Sequence, residues 1–145
     1  MTVALSAREI AGQLKEKFAG KIEESGANSV LVKSDALQAV AAYLKDNLKY
    51  DYFNYVTAVD YISYFEVVYQ VTSMEQNRSI VLKARCARDN ATLPSVTGIW
   101  QGANFQEREI YDLFGIKFEG HPNLKRMFLW EGFGGYPLRK DWNAR

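Results

Sequence analysis

The sequence contains one cysteine, one histidine and three prolines in 145 residues. A lone cysteine, Cys86, excludes an intrachain disulfide and any zinc or iron–sulfur centre built from the chain's own thiolates, because those need several. Such sparse cysteine use fits cytosolic, reducing conditions. A lone histidine, His121, excludes a two-histidine metal motif. There is no G-x-x-x-x-G-K-[ST] loop, no G-x-G-x-x-G after a strand-like run and no nucleophile elbow, and the glycines of Phe133-Gly134-Gly135-Tyr136 open no helix. No apolar run approaches the ~18–20 residues needed to cross a bilayer, and no charged region followed by an apolar stretch marks the N-terminus as a signal peptide. A net charge of +1 gives no case for a nucleic-acid or anionic-membrane surface.

What remains is ordinary globular composition, 48% hydrophobic and 24% charged, at a length that suits one domain with a proper core. Ser6 to Glu9 reads as a capping box, with Leu5 and Ile10 placed as a hydrophobic staple. Ile10, Leu14 and Phe18 then recur every four residues, the period of an amphipathic helix ending by Gly20. Residues 28–32, from Asn28 to Val32, form a short apolar run that suits a strand. Asp35 opens a second helix with Leu37, Val40, Ala41, Leu44 and Leu48 on one face. From Tyr50 to Arg85 the period is two: runs over 52–59, 65–71 and 78–85, joined by short turns, predict an antiparallel meander covered by the helices on one face. Arg88-Asp89-Asn90 reads as a turn, Leu93 to Val96 as renewed order, and Ile99 and Trp100 as anchors. The tyrosines Tyr50, Tyr52, Tyr55, Tyr61, Tyr64 and Tyr69 suit a stacking surface for single-stranded nucleic acid, but ordinary strand composition explains them more simply. Cys86 reads as a small apolar residue near a strand end in preference to a reactive thiol.

The densest chemistry lies in residues 103–122. Asn104 and Glu107 are spaced as a capping box, and Gly115 stands where a left-handed C′ residue belongs, with Ile116 after it. Glu107, Arg108, Glu109 and Asp112 crowd one short helix. A catalytic carboxylate pair working with His121 is one reading, and a solvated face is another. Glu107 and Glu109, two apart, point in different directions, whereas Glu109–Asp112 and Arg108–Asp112 are helical neighbours. This spacing favours a salt-bridge network, with Arg108, Arg126 and Arg139 as natural partners. In its Gly-His-Pro setting, His121 reads as a turn residue with a structural hydrogen bond in preference to a base or a metal ligand.

Residues 116–145 show neither period, yet carry Phe118, Phe128, Trp130, Phe133, Tyr136 and Trp142 and a net charge of +3. Polar linkers do not look like this. The segment either folds back on its own domain or lies on a partner as an extended arm, an acidic groove being the natural receptor. The expected organisation is an α+β domain over 1–115 with an arm over 116–145. The domain is expected to hold a small mixed sheet with an antiparallel meander, two N-terminal helices and a short C-terminal helix.

Three blocks carry a resemblance: 107–116, from Glu107 to Ile116; Gly120-His121-Pro122-Asn123-Leu124-Lys125-Arg126; and Pro137-Leu138-Arg139-Lys140-Asp141. Together with the segments at 88–90 and 93–96, they resemble the 30 kDa subunit family of respiratory complex I, the C-type or J-type subunit of NADH:quinone oxidoreductase. The likeness is dense from Arg88 to Asp141 and looser from Asn28 to Arg85. It implies an α/β-type subunit of the peripheral arm, on the cytoplasmic side of the membrane, that packs against the hydrogenase-like 49 kDa-type subunit beside a small iron–sulfur subunit. Iron–sulfur clusters, flavin and quinone are then expected in partner subunits of a proton-translocating enzyme, with no cofactor and no catalytic residue in this chain. Glu107, Arg108, Glu109, Asp112, Gly115, His121, Pro122, Arg126, Pro137, Arg139, Lys140 and Asp141 are the expected signature and interface residues. A related complex fed by ferredoxin or a deazaflavin, or a membrane-bound hydrogenase, is the alternative parent assembly.

Overall fold

A period of four near one end of the chain and a period of two in its middle build helices against a sheet. The computed structural model describes residues 7–24, 29–126 and 135–141. In order come α1 (Ala7–Lys17), β1 (Ile22–Glu24), β2 (Ser29–Val32), a 3-10 turn (Ser34–Ala36), α2 (Leu37–Asp46), β3 (Tyr52–Asp60), β4 (Tyr64–Ser73), β5 (Arg78–Ala87), β6 (Thr92–Pro94), α3 (Ala103–Phe114) and β7 (Lys117–Glu119). Five strands form one sheet in the order β1-β2-β5-β4-β3, and β6 pairs with β7 in a second. The meander β3–β4–β5 is antiparallel as its short turns require, while β2 joins β5 in parallel through the α2 crossover, which makes the sheet mixed.

Register decides where the core lies. Phe65, Val67, Tyr69 and Val71 share one face of β4, and the pairing sets them opposite Cys86, Ala84, Leu82 and Ile80 of β5. All eight are buried, in one cluster with Ile10 and Leu14 of α1, Leu37, Val40 and Leu44 of α2, and Ile110 and Phe114 of α3. The opposite face carries Gln70, Thr72 and Lys83 and stays half-exposed, so the helices cover one side only. Tyr50 and Tyr69 are enclosed in this core, whereas Tyr52, Tyr55 and Tyr61 are exposed, so the tyrosines do not form one platform.

Several local expectations need correction. Three-residue β1 was not anticipated, because so short a run shows no alternation. The second helix opens with a 3-10 turn before α2. Asn104 is not an N-cap: α3 is capped by Gly102 without a side-chain bond. The turn before the helix already supplies acceptors, Ala103 N–H bonding to Trp100 O at 3.0 Å and Asn104 N–H to Gln101 O at 3.1 Å, so no cap oxygen is required. The segment beyond residue 115 does contain a strand. Strand β7 pairs in parallel with β6, and Ile116 and Phe118 lie in the core. Leu5, Ser6, Asn28, Phe128, Trp130, Phe133 and Trp142 fall outside the described residues, and with them the Ser6 capping box and the staple.

Candidate functional site

Helix α3 buries two of its acids completely. Glu107 and Asp112 both have 0% exposure, which for carboxylates demands partners. Glu107 reaches the loop after β6, where Ser95 Oγ–H donates to Oε1 at 2.6 Å and Val96 N–H donates to Oε2 at 2.9 Å. Thr97 N–H donates in turn to Ser95 Oγ at 3.1 Å, so one carboxyl organises a three-residue loop. Burial pushes the Glu107 carboxyl up to about 7, against the pull of its two hydrogen bonds. Asp112 takes the Arg126 guanidinium, Nε to Oδ1 at 2.6 Å, while Nη2 of the same group donates to Asp112 O at 2.6 Å and to Gly135 O at 2.8 Å. Arg126 therefore ties α3 to two stretches beyond it.

The other charges of the helix go elsewhere. Glu109 is exposed. Arg108 donates through Nε to Lys125 O at 3.4 Å and lies 5.8 Å from the ring centre of Phe105, itself 62% exposed. Glu107, Glu109 and Asp112 thus face a loop, solvent and an arginine, and do not converge on a common cleft. His121 accepts Asn123 N–H at Nδ1, 2.9 Å away, which leaves Nε2–H to donate to Asn104 O at 3.0 Å. Both ring nitrogens are occupied in holding the 121–123 turn against the start of α3, and Pro122 is exposed in that turn. Burial pushes the Cys86 thiol up to about 11, the opposite of a reactive thiolate. Among the described residues no group of three His, Cys, Asp or Glu side chains comes together as a metal site, and no helix is long and apolar enough to cross a membrane.

Gly115 is where residues 135–141 return to the domain. It adopts φ 77°, and its N–H closes α3 on Tyr111 O. A Cβ there would stand 2.7 Å from two ring carbons of Tyr136 and 2.9 Å from Nη2 of Arg139, so glycine serves both the left-handed turn and the close approach. Leu138 N–H then donates to Leu113 O at 3.0 Å, and Arg139 Nε to Phe114 O at 2.6 Å, which occupies carbonyls that the end of α3 leaves open. Half-buried Pro137 lies between these contacts.

Three arginines and two aromatic rings alternate across this seat. Arg126 lies 4.9 Å from the Tyr136 ring centre and Arg139 5.0 Å from it; Arg139 lies 5.1 Å from the Phe65 ring centre and Arg88 4.9 Å from that one. Asp112 holds one end of the stack through Arg126, and Asp60 holds the other through Arg88. Lys140 N–H donates to Asp60 Oδ2 at 2.8 Å, and Arg88 Nη2 reaches Asp141 Oδ1 at 3.0 Å. The Arg88 guanidinium beside Asp60 holds its carboxyl well below the usual carboxylate range.

The structure thus gathers Asp112, Gly115, Arg126, Pro137, Arg139, Lys140 and Asp141 in one junction and sets Glu107, Arg108, Glu109, His121 and Pro122 around α3. Sequence reading gave Asp60 no role; it placed Phe65 in a strand run and Arg88 and Ser95 in segments that carry the resemblance, without the carboxylates that Arg88 and Ser95 bind. Asp60 and Lys140 stand 80 positions apart, beyond the reach of any local pattern. The one available signal was an acid at the end of a strand before a turn.

The structure defines an α+β domain to which residues 135–141 return at the end of α3. Residues 30–145 match the family described as respiratory-chain NADH dehydrogenase, 30 Kd subunit, and the chain belongs to that family. It is 39% identical over 137 residues to the C subunit of NADH-quinone oxidoreductase from Geotalea uraniireducens, a match spanning 90% of this chain and 84% of that one. It is 37% identical to the C/D 2 subunit of NADH-quinone oxidoreductase from Aquifex aeolicus, where the match spans 89% of this chain but 23% of the relative. Among solved structures it resembles a chain of the membrane-bound sulfane sulfur reductase, an archaeal respiratory membrane complex, with TM-score 0.79 and 27% identity over 94% of this chain and 85% of that one.

Proposed function

We propose that this chain is a cofactor-free structural and assembly subunit of the peripheral arm of an NADH:quinone oxidoreductase. It docks on the hydrogenase-like 49 kDa-type large subunit that forms the quinone site, beside a small iron–sulfur subunit, on the cytoplasmic side of the membrane. Flavin, iron–sulfur clusters and quinone belong to the partners. The observation that carries this reading is how the signature residues are used: Glu107, Asp112, His121, Arg126 and Arg139 bind the chain's own loops and the returning segment. The Aquifex relative, whose name joins C and D and in which the matched region fills under a quarter of the length, supports attachment to a much larger neighbour.

The test is purification of tagged chain from membranes. Co-purification with the large subunit is expected, and the chain alone should show neither visible absorbance nor an EPR signal; a stoichiometric flavin or cluster on the isolated chain would overturn the reading. Similarity to a chain of a sulfane sulfur reductase favours a second possibility, the equivalent position in a related respiratory complex with another electron donor. The electron-input subunits that co-purify decide between the two.

A further inference from the structure

One carboxylate outside the signature blocks holds two segments at once. Asp60 ends β3 and is buried, and both of its oxygens are in use. Oδ1 accepts Ile62 N–H at 2.7 Å and a bond from Arg88 Nη1; Oδ2 accepts Arg88 Nη2 at 2.9 Å and Lys140 N–H at 2.8 Å. An ionised carboxylate offers about four lone-pair sites, and four donors fill them here. The Ile62 bond shapes the tip of the β3–β4 hairpin. Ile62 has φ 74°, a left-handed conformation that a β-branched side chain resists, and it is 67% exposed. An exposed isoleucine gains nothing from the core in that position, so the turn's own bonds hold it there: the Asp60 bond, with Tyr61 N–H to Tyr64 O at 3.0 Å and Ser63 N–H to Tyr61 O at 2.9 Å. The Lys140 bond, together with Arg88 to Asp141, holds the returning segment, whose Leu138 is 52% exposed.

We propose that Asp60 is a positioning residue that couples the hairpin tip to residues 135–141, so that seating the segment presets the conformation of the tip. Seating the segment supplies the fourth donor and brings Asp141 to Arg88, and both contacts select the carboxylate orientation that keeps Ile62 left-handed. When the segment lifts, the carboxylate loses a donor, Arg88 loses one of its two acids, and the tip relaxes.

Amide exchange of the isotope-labelled full chain in heavy water tests the coupling without any partner. Lys140→Pro deletes one donor at an exposed residue, so it remains informative if Asp60→Asn fails to fold. Loss of one charge-assisted bond corresponds to about a tenfold change in opening. The Ile62 amide should therefore exchange about tenfold faster in Lys140→Pro, with Tyr69 of the central strand unchanged. An Ile62 amide that keeps its wild-type rate overturns the coupling, whether or not Leu138 and Arg139 lose protection.

Discussion

Replacing Glu107 by glutamine should make the protein more stable at pH 8 and leave it nearly unchanged at pH 5. The wild-type carboxyl is fully enclosed and ionises near pH 7, against an ordinary value of 4.5. Between those values the folded state holds a proton that the unfolded chain has released, so stability falls as pH rises through that window and levels off above it. A rise of about 2.5 units at about 1.36 kcal/mol each makes the full loss about 3 kcal/mol. Glutamine keeps an oxygen for Val96 N–H and turns its NH2 toward Ser95 Oγ, whose own proton can pass to Thr97 Oγ1 at 2.9 Å. Re-sorting that network costs about 1 kcal/mol, which leaves a net gain of about 2 kcal/mol at pH 8. For a domain of this size that is roughly 5–10 °C in Tm. Thermal unfolding of both proteins at pH 5 and pH 8, at one ionic strength, measures the difference directly, and every other titrating group cancels in the comparison. Equal destabilisation of Glu107→Gln at both pH values would refute the reasoning, since it would mean that the folded protein prefers the charged carboxylate even at pH 5.

Asp60 behaves in the opposite sense. Its carboxyl is held below the ordinary 3.8, so its stabilisation is complete above that value and is lost as pH falls below it; the protection factor of the Lys140 amide, corrected for intrinsic exchange, should fall below about pH 4 while those of core amides hold. Arg126→Ala removes the guanidinium from a fully enclosed Asp112 and should cost about 3 kcal/mol in urea unfolding, with Asp112→Asn in the same chain recovering part of it. Gly115→Ala adds left-handed strain of about 1–2 kcal/mol and drives a methyl into Tyr136, so trypsin should cut after Arg139 and Lys140 faster than in the wild type. Arg108→Glu should weaken co-purification with the large subunit yet shift stability by no more than ~0.5 kcal/mol, because its contacts are one long carbonyl bond and an exposed ring.

The sequence by itself determined the elements whose signal is local. Spacing of four among Ile10, Leu14 and Phe18, alternation from Phe65 to Val71, and a glycine after Phe114 each report on neighbours within a turn or a strand, and the structure has α1, β4 and a left-handed Gly115 there. Signals shorter than one period were lost, as at β1 and β7. The capping box at Asn104 was misread because the competing acceptors came from the backbone of the preceding turn, which no spacing rule reports. Tertiary structure alone decided where the charges go. Glu107 and Asp112 sit five residues apart on one helix, yet one turns to the loop at Ser95 and the other to Arg126, and Asp60 finds its fourth donor 80 positions away. A buried carboxylate must be met by whatever donors the packed chain brings to it. That choice is made by the register of the sheet and the return of the segment at Gly115, and periodicity along the chain carries no record of it.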